Sequence, residues 1–400
     1  ELNYLKAEEY FEKALKLNDK SAYFYLGNLY YFGIDKDYTK AKEMFQMGAI
    51  FNDSPSVISL GLMYYEGHGV KQDFLKAKDY FEIALKLHNL DAFNFLGKLY
   101  FDGNGVKRDY LKAKKYYEEG AKFNNPRSLM SLGLFYINGG DGAKDYLKAK
   151  YYFELSSKFN DPDAFFVLGN IYMTGLGVEQ NYSLAKEYYE ASAHFMNSNA
   201  LLALGDIYMN GIGVQTNVTK AKYYYELASK RNNSIALFSL GCIYLEDKNF
   251  DKAKEYYEMA ANLNHPFAFF NLACMFSYGD YFEINYTKAI DYLKKCSEID
   301  AVNDFQNNDE MSNKIFNVFK YRAFNDLGLI YVTVYQDIEK AIENIKEAAF
   351  AEYPFGQNNY GLLLQFYLND DNNAEYFYRR SAKHNFALAE FNLGYLKEKK

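Results

Sequence analysis

The chain contains no tryptophan, only three cysteines, no basic excess and no long apolar run. Each shortage excludes something. The formal charge of −7 leaves no clustered Lys/Arg footprint of the kind that binds nucleic acid. No apolar stretch approaches the roughly 18 residues needed to cross a bilayer. Cys242, Cys274 and Cys296 are odd in number and form no recurring pair, so they do not make a disulfide framework. They read as free thiols, which leans toward a reducing compartment and a cytoplasmic location. No His, Cys or carboxylate cluster has metal-ligand spacing. The glycine-rich GNGVKRD stretch lacks the Gly-Lys-Ser/Thr ending and the preceding strand of a phosphate loop. No catalytic residue, cofactor site or metal site is therefore assigned.

What is abundant is aromatic. Tyr and Phe number 42 and 34 and raise the aromatic share to 19% of 400 residues, and most of them recur at fixed intervals. A Leu-Gly pair organises the repetition. Its glycine falls at Gly27, Gly61, Gly97, Gly133, Gly169, Gly205 and Gly241, then at Gly328, Gly361 and Gly394, with Ala273 standing in once. Successive spacings are 34, 36, 36, 36, 36, 36 and 32, then 55, 33 and 33. A period of this length marks a solenoid, in which each unit buries its apolar face against its neighbours.

Every unit spells two helices. Around the glycine, the residue five before is small (Ala22, Ser56 and Ala92 in the first three units), the residue two after is apolar, and the residue three after is usually Tyr. At about 100° per residue these share one helix sector, so they are core positions. A Gly-x-Gly-Val turn follows at Gly67, Gly103, Gly175 and Gly211, suited to ending a helix in left-handed backbone. The second helix opens on Asp or Asn at Asn3, Asp37, Asp73, Asp109, Asp145, Asn181, Asn217, Asn249, Asn285, Asp337 and Asp370. These side chains are predicted to cap the free N–H groups of the first turn. A Lys-Ala pair follows, then paired aromatics such as Tyr116-Tyr117. The fold class is thus all-α: a right-handed α/α superhelical solenoid of about eleven antiparallel helix pairs. One break interrupts it, and the expected organisation is a repeat array over 1–299, an acidic, Asn-rich loop over 300–313, and continued repeats over 314–400. The chain opens inside a second helix and closes after a first one, which reads as a segment of something longer.

This pattern of small residue, Leu-Gly, Tyr, Gly-x-Gly-Val, Asp, Lys-Ala and paired aromatics resembles the Sel-1-like repeat, a relative of the tetratricopeptide repeat. The last third is closer to plain tetratricopeptide repeats. The resemblance implies a non-enzymatic scaffold or adaptor that binds other proteins or peptides. It also implies a place for them: a concave groove lined by first-helix residues three before, one after and four after the glycine. Here these include Asn28, Asn94, Lys98, Phe101, Phe166, Asn170, Met173, Asp206 and Met209. The polar ones, Asn94, Lys98, Asn170 and Asp206, are expected to face solvent, whereas the Phe and Met positions are equally compatible with extra core. A carboxylate clamp, which some relatives build from Lys three before and Asn one after, is not implied, because Phe24 and Phe166 stand before Asn28 and Asn170. An alternative is the lumenal substrate-recognition adaptor of an endoplasmic-reticulum-associated degradation ubiquitin ligase. That reading predicts glycans on Asn181, Asn217 or Asn285, each also a predicted helix cap. Oligomeric state is not legible from the sequence.

Overall fold

The computed structural model describes residues 2–33, 36–140, 142–279, 281–299 and 310–399. Among these, twenty-two α-helices and one π-helical turn make up the regular structure. By contact the chain divides into two units, Glu1–Ala200 and Leu201–Lys400. The sequence-based boundaries at 299 and 313 both fall inside the second.

In the first unit α1 (Leu2–Lys16) is followed by first helices α2 (Ala22–Phe32), α4 (Ser54–Glu66), α6 (Asp91–Asp102), α8 (Pro126–Asn138) and α10 (Pro162–Thr174). Their partners are α3 (Tyr38–Ile50), α5 (Phe74–Lys86), α7 (Tyr110–Lys122), α9 (Tyr146–Ser157) and α11 (Tyr182–His194). Helix α12 (Ser198–Asn210) begins in the first unit and ends in the second. In the second unit follow α13 (Val218–Ser229), α14 (Ser234–Glu246), α15 (Phe250–Asn262), α16 (Pro266–Ser277) and α17 (Tyr286–Glu298). Then come the long α18 (Glu310–Ile330), the π-helical turn Tyr331–Tyr335, α19 (Ile338–Phe350), α20 (Pro354–Phe366), α21 (Asp371–Ala382) and α22 (Ala387–Lys399). The expected loop 300–313 lies outside the described residues over 300–309, and Glu310 opens α18.

Ten of the eleven predicted caps are in place. Asp37, Asp73, Asp109 and Asp145 each accept from the N–H three residues on, as do Asn181, Asn217, Asn249, Asn285, Asp337 and Asp370. Asn3 is the exception, because α1 already runs from Leu2. The three candidate glycosylation sites are thus caps whose oxygens hold Leu184, Lys220 and Lys288 N–H at 2.9–3.0 Å.

The helix glycine allows a ring to sit directly against the first helix. Phe153, fully buried, packs on Gly133, where an added Cβ would lie 2.6 Å from its Cζ and 2.7 Å from its Cδ1. The same arrangement places Phe81 on Gly61, Tyr117 on Gly97, Tyr189 on Gly169 and Tyr225 on Gly205. Where Ala273 replaces the glycine, the ring is replaced by Leu293. The other aromatic of each pair stacks on the first-helix Tyr. Tyr64 lies on Tyr80, Tyr100 on Tyr116, Tyr136 on Tyr152 and Tyr172 on Tyr188, with centroids 5.6–5.8 Å apart and planes within 11°. The Lys of Lys-Ala closes the other side of that Tyr. Lys112 is 4.1 Å from the Tyr100 centroid and Lys148 is 5.2 Å from that of Tyr136. Cation–π and stacking contacts of this kind contribute about 0.5–1.5 kcal/mol each, repeated in unit after unit. This joint accounts for the tyrosine excess.

Turns from second to first helix depend on left-handed backbone at a non-glycine residue. Asn52, Asn124, Asn160, Asn232 and Asn264 hold φ of 56–59°, and His88, Met196 and Glu352 do the same at 58–65°. Asparagine is among the few side chains that enter this region readily.

Candidate protein-interaction surface

Within each unit the first helices approach one another: α2 with α4 and α6 with α8 in the first, α16 with α18 and α18 with α20 in the second. Among the described residues no pair of second helices comes as close. First helices therefore form the inner layer; of their residues three before, one after and four after the glycine, some lie against second-helix side chains and others reach the surface.

Lys98 is the exposed member of the polar set, with its ammonium 5.4 Å above the Tyr65 ring. Asn94, Asn170 and Asp206, expected to face solvent, are half-buried and committed to other helices. Asn94 Oδ1 accepts from Ser131 Oγ of α8 at 2.6 Å. The Tyr189 hydroxyl donates to Asn170 Oδ1, and the Tyr225 hydroxyl to Asp206 Oδ1, both at 2.7 Å. Burial pushes the Asp206 carboxyl above its ordinary range, and the Tyr225 hydrogen bond holds it back. The expectation of free polar groups thus gives way at these three positions. At Asn170 and Asp206 the physical reason is the ring beneath the glycine: a tyrosine there carries its hydroxyl up between the helices, where it needs an acceptor; at Asn94 it is the Ser131 hydroxyl of the next first helix.

The remaining predicted residues divide similarly. Phe101 is wedged edge-on between Tyr110 and the buried Phe135, at 5.3 and 6.1 Å. Phe166 tilts onto Tyr189 at 5.9 Å. Asn28, Met173 and Met209 are half-buried on the inner face. Beside Lys98 in sequence register, Leu134 is 41% exposed, an apolar side chain on the same face of the next first helix.

Reading the sequence one residue at a time missed a relation between the two helices of each pair. Where the ring is Phe81 or Phe153, the residue after the glycine is Leu62 or Leu134. Where it is Tyr117, Tyr189, Tyr225 or Tyr257, that residue is Lys98, Asn170, Asp206 or Cys242. The Tyr257 hydroxyl reaches Cys242 Sγ at 3.4 Å. Phe45 with Asn28 departs from the pattern, and Tyr378, paired with Leu362, sends its hydroxyl to Gln365 at 2.9 Å instead. The inner layer is further tied by bonds that reach about one repeat along the chain: Asn125 Nδ2 to Asp91 at 2.8 Å and Asn197 Nδ2 to Asp163 at 2.9 Å.

Among the described residues no group of three His, Cys, Asp or Glu side chains is placed to hold a metal ion. No described helix is long and apolar enough to cross a membrane. The three cysteines are free, Cys296 buried and the other two half-buried.

Comparison with known proteins places this geometry in context. A protective antigen of uropathogenic Escherichia coli that displays an SLR fold is 27% identical to the chain, with a TM-score of 0.59, over 97% of this chain and 82% of that one. A Sel1 repeat protein from Oxalobacter formigenes is 28% identical, with a TM-score of 0.52, over 60% of this chain and 99% of that one. No curated protein matches it in sequence. The Sel1 repeat model matches at residues 1–19, 20–50, 55–89, 91–122, 126–158, 162–194, 198–233, 234–265, 266–298 and 354–386. With most of its length accounted for by these matches, the chain belongs to the Sel1 repeat family.

Proposed function

We propose that this chain is a non-enzymatic scaffold whose first-helix layer binds a segment of a partner protein. Sel1 repeats are typically protein–protein interaction scaffolds, so the finer claim concerns the face used. The observation that carries it is the contrast along the inner layer of the first unit. The sector packed against second helices repeats the same residues, whereas the outward stripe changes chemistry from Leu62 to the exposed Lys98 to the exposed Leu134. An apolar side chain beside a cation suits an amphipathic or acidic-apolar peptide segment. The half-buried polar groups Asn94, Asn170 and Asp206 act on this surface by fixing its shape, while Lys98 and Leu134 are available to make contact.

The reading is tested by site-specific photo-cross-linking. A photoreactive amino acid is placed at Lys98 or Leu134 on the inner face, and at the exposed Lys115 or Lys122 of α7 for comparison. Cross-links to one defined protein from the inner-face positions, abolished by Leu134→Glu when the probe is at Lys98 and by Lys98→Glu when it is at Leu134, are the expected result. Cross-linking confined to α7, or equal on both faces, would reject it.

A further inference from the structure

At the break in repeat spacing the second unit holds a cavity of about 230 Å³. Its walls include Cys274 and Ser277 of α16, Asp326 and Leu329 of α18, and Thr333 and Val334 of the π-helical turn. Cavities for drug-sized ligands run to roughly 300–1,000 Å³, so this one suits a single extended side chain or a ligand of similar size. π-Helical turns inside α-helices concentrate at functional sites, and this one forms part of the wall.

Two aliphatic hydroxyls of the lining already have their protons committed. Ser277 Oγ donates its proton to Ala273 O at 2.8 Å, and Thr333 Oγ1 donates to Leu329 O at 2.6 Å. Each hydroxyl therefore offers only lone pairs to an incoming group. Asp326 is the charged group of the wall, and a chain of amides converges on it. Asn392 Nδ2 donates to Asn358 Oδ1 at 2.8 Å, Asn358 Nδ2 to Asn359 Oδ1 at 3.3 Å, and Asn359 Nδ2 to Asn325 Oδ1 at 2.9 Å. Asn325 Nδ2 then donates to Asp326 Oδ1 at 3.1 Å. Four side-chain amides from α22, α20 and α18 are thus aligned head to tail, all pointing their donors toward one carboxylate, an arrangement in which each bond polarises the next. Burial raises the Asp326 carboxyl above its ordinary range, and Asn325 and Arg322 oppose that rise. Asp326 Oδ2 lies 3.9 Å from Arg322 Nε, beyond hydrogen-bond distance. The Arg322 guanidinium sits instead 4.6 Å over the Phe270 ring.

We propose that this cavity binds a primary alkylammonium group, its aliphatic stem against Leu329, Ile330 and Val334 and its nitrogen on Asp326, Ser277 and Thr333. An ammonium carries three donors and no acceptor, which complements the Asp326 carboxylate and the lone pairs of Ser277 and Thr333; Cys274, Tyr278 and Tyr286 complete the polar part of the lining. The group belongs either to a lysine side chain of a partner or to a free amine. The first case rests on the scaffold reading; the second stands without it.

The test uses the full chain with labelled methyl groups, following Leu329 and Val334 by NMR. The probes are n-butylammonium and its neutral isostere 1-butanol, then acetyl-Gly-Gly-Lys-Gly-Gly-amide and the same peptide with norleucine for lysine. Saturable shifts with n-butylammonium, about tenfold or more weaker with 1-butanol and with Asp326→Asn, are expected. Val334→Phe, at a rim position already 40% exposed, should block entry without disturbing the fold. Binding of the lysine peptide but not the norleucine peptide assigns the site to a partner's side chain; binding of n-butylammonium alone assigns it to a free amine. Affinity for 1-butanol within about threefold of the amine, unchanged binding in Asp326→Asn, or no shift with any probe would overturn the proposal. Failure of cross-linking at Lys98 and Leu134 together with amine binding here would reject the scaffold reading and leave this site standing.

Discussion

Replacing Gly133 by alanine sets two known effects against each other. Alanine is favoured over glycine inside a helix by about 0.5–1 kcal/mol. At Gly133, however, the new methyl group would meet Cζ and Cδ1 of the fully buried Phe153 at 2.6 and 2.7 Å. The ring is fully buried, and overpacking of this kind costs about 1–3 kcal/mol. The net expectation for Gly133→Ala is a loss of about 1–2 kcal/mol. Phe153→Leu alone should lose a similar amount, part of the ~3–5 kcal/mol of complete truncation to alanine. The double variant reproduces the Ala273–Leu293 pair that the chain already uses, both buried. It should therefore be about as stable as Phe153→Leu alone, a coupling energy of at least about 1 kcal/mol. Gly394 supplies the control: an added Cβ there has nothing within 4 Å, so Gly394→Ala should be neutral or stabilising. Guanidinium unfolding followed by circular dichroism gives the overall change. Amide exchange in α8 and α9 tests whether the loss is local, as nearest-neighbour coupling in a repeat array requires. If Gly133→Ala proves as benign as Gly394→Ala, or the two single effects simply add, the close-packing account of the recurring glycine is wrong.

Three further outcomes follow from buried polar groups. Burial depresses the His265 imidazole from 6.5 to about 4, so the unfolded chain takes up its proton first. The contribution to stability is complete above about pH 6.5 and is lost as pH falls toward 4, about 3 kcal/mol in all; His265→Asn should flatten the pH dependence of urea midpoints across that window. Gln357 is fully buried with neither amide atom hydrogen-bonded, whereas Leu129, Leu201 and Leu237 fill the corresponding position elsewhere. Gln357→Leu should raise the thermal midpoint, by up to ~1–3 kcal/mol equivalent, and a lower midpoint would show that the amide has a partner. Tyr225→Phe removes the hydroxyl donor of the half-buried Asp206 and should cost about 1–3 kcal/mol. Adding Asp206→Leu, which copies the Phe153–Leu134 pair, should recover most of that loss in the same denaturation assay.

The repeat was readable because every unit solves the same packing problem with the same residues. A Leu-Gly pair, a capping Asp or Asn and a Lys-Ala pair are each required by one contact, so their positions survive translation along the chain. The doublets Asn52-Asp53, Asn124-Asn125, Asn160-Asp161 and Asn232-Asn233 were also present to be read. Their first member takes the left-handed turn and their second caps the following helix. The inner face was harder to read because solvent exposure there depends on the opposite helix. Whether Asn170 faces water or holds a hydroxyl is decided by Tyr189, nineteen residues away. The α18 region was least legible. No periodic signal announces the π-helical turn, and the amide chain on Asp326 uses repeat positions two and three before the glycine that carry other side chains in most units.

The matching of ring to the residue after the glycine also constrains how such a gene can change. Both partners of the match lie within one helical hairpin, on either side of the glycine-rich turn. Recombination between two hairpins at the asparagine turns duplicates or deletes whole modules with their matches intact. A crossover at the glycine-rich turn can instead join the front of a phenylalanine module to the back of a tyrosine module, leaving Leu134, for example, above a hydroxyl such as that of Tyr189. Whole hairpins can therefore be gained or lost without breaking a match, while exchange of half-modules between the phenylalanine and tyrosine types breaks one.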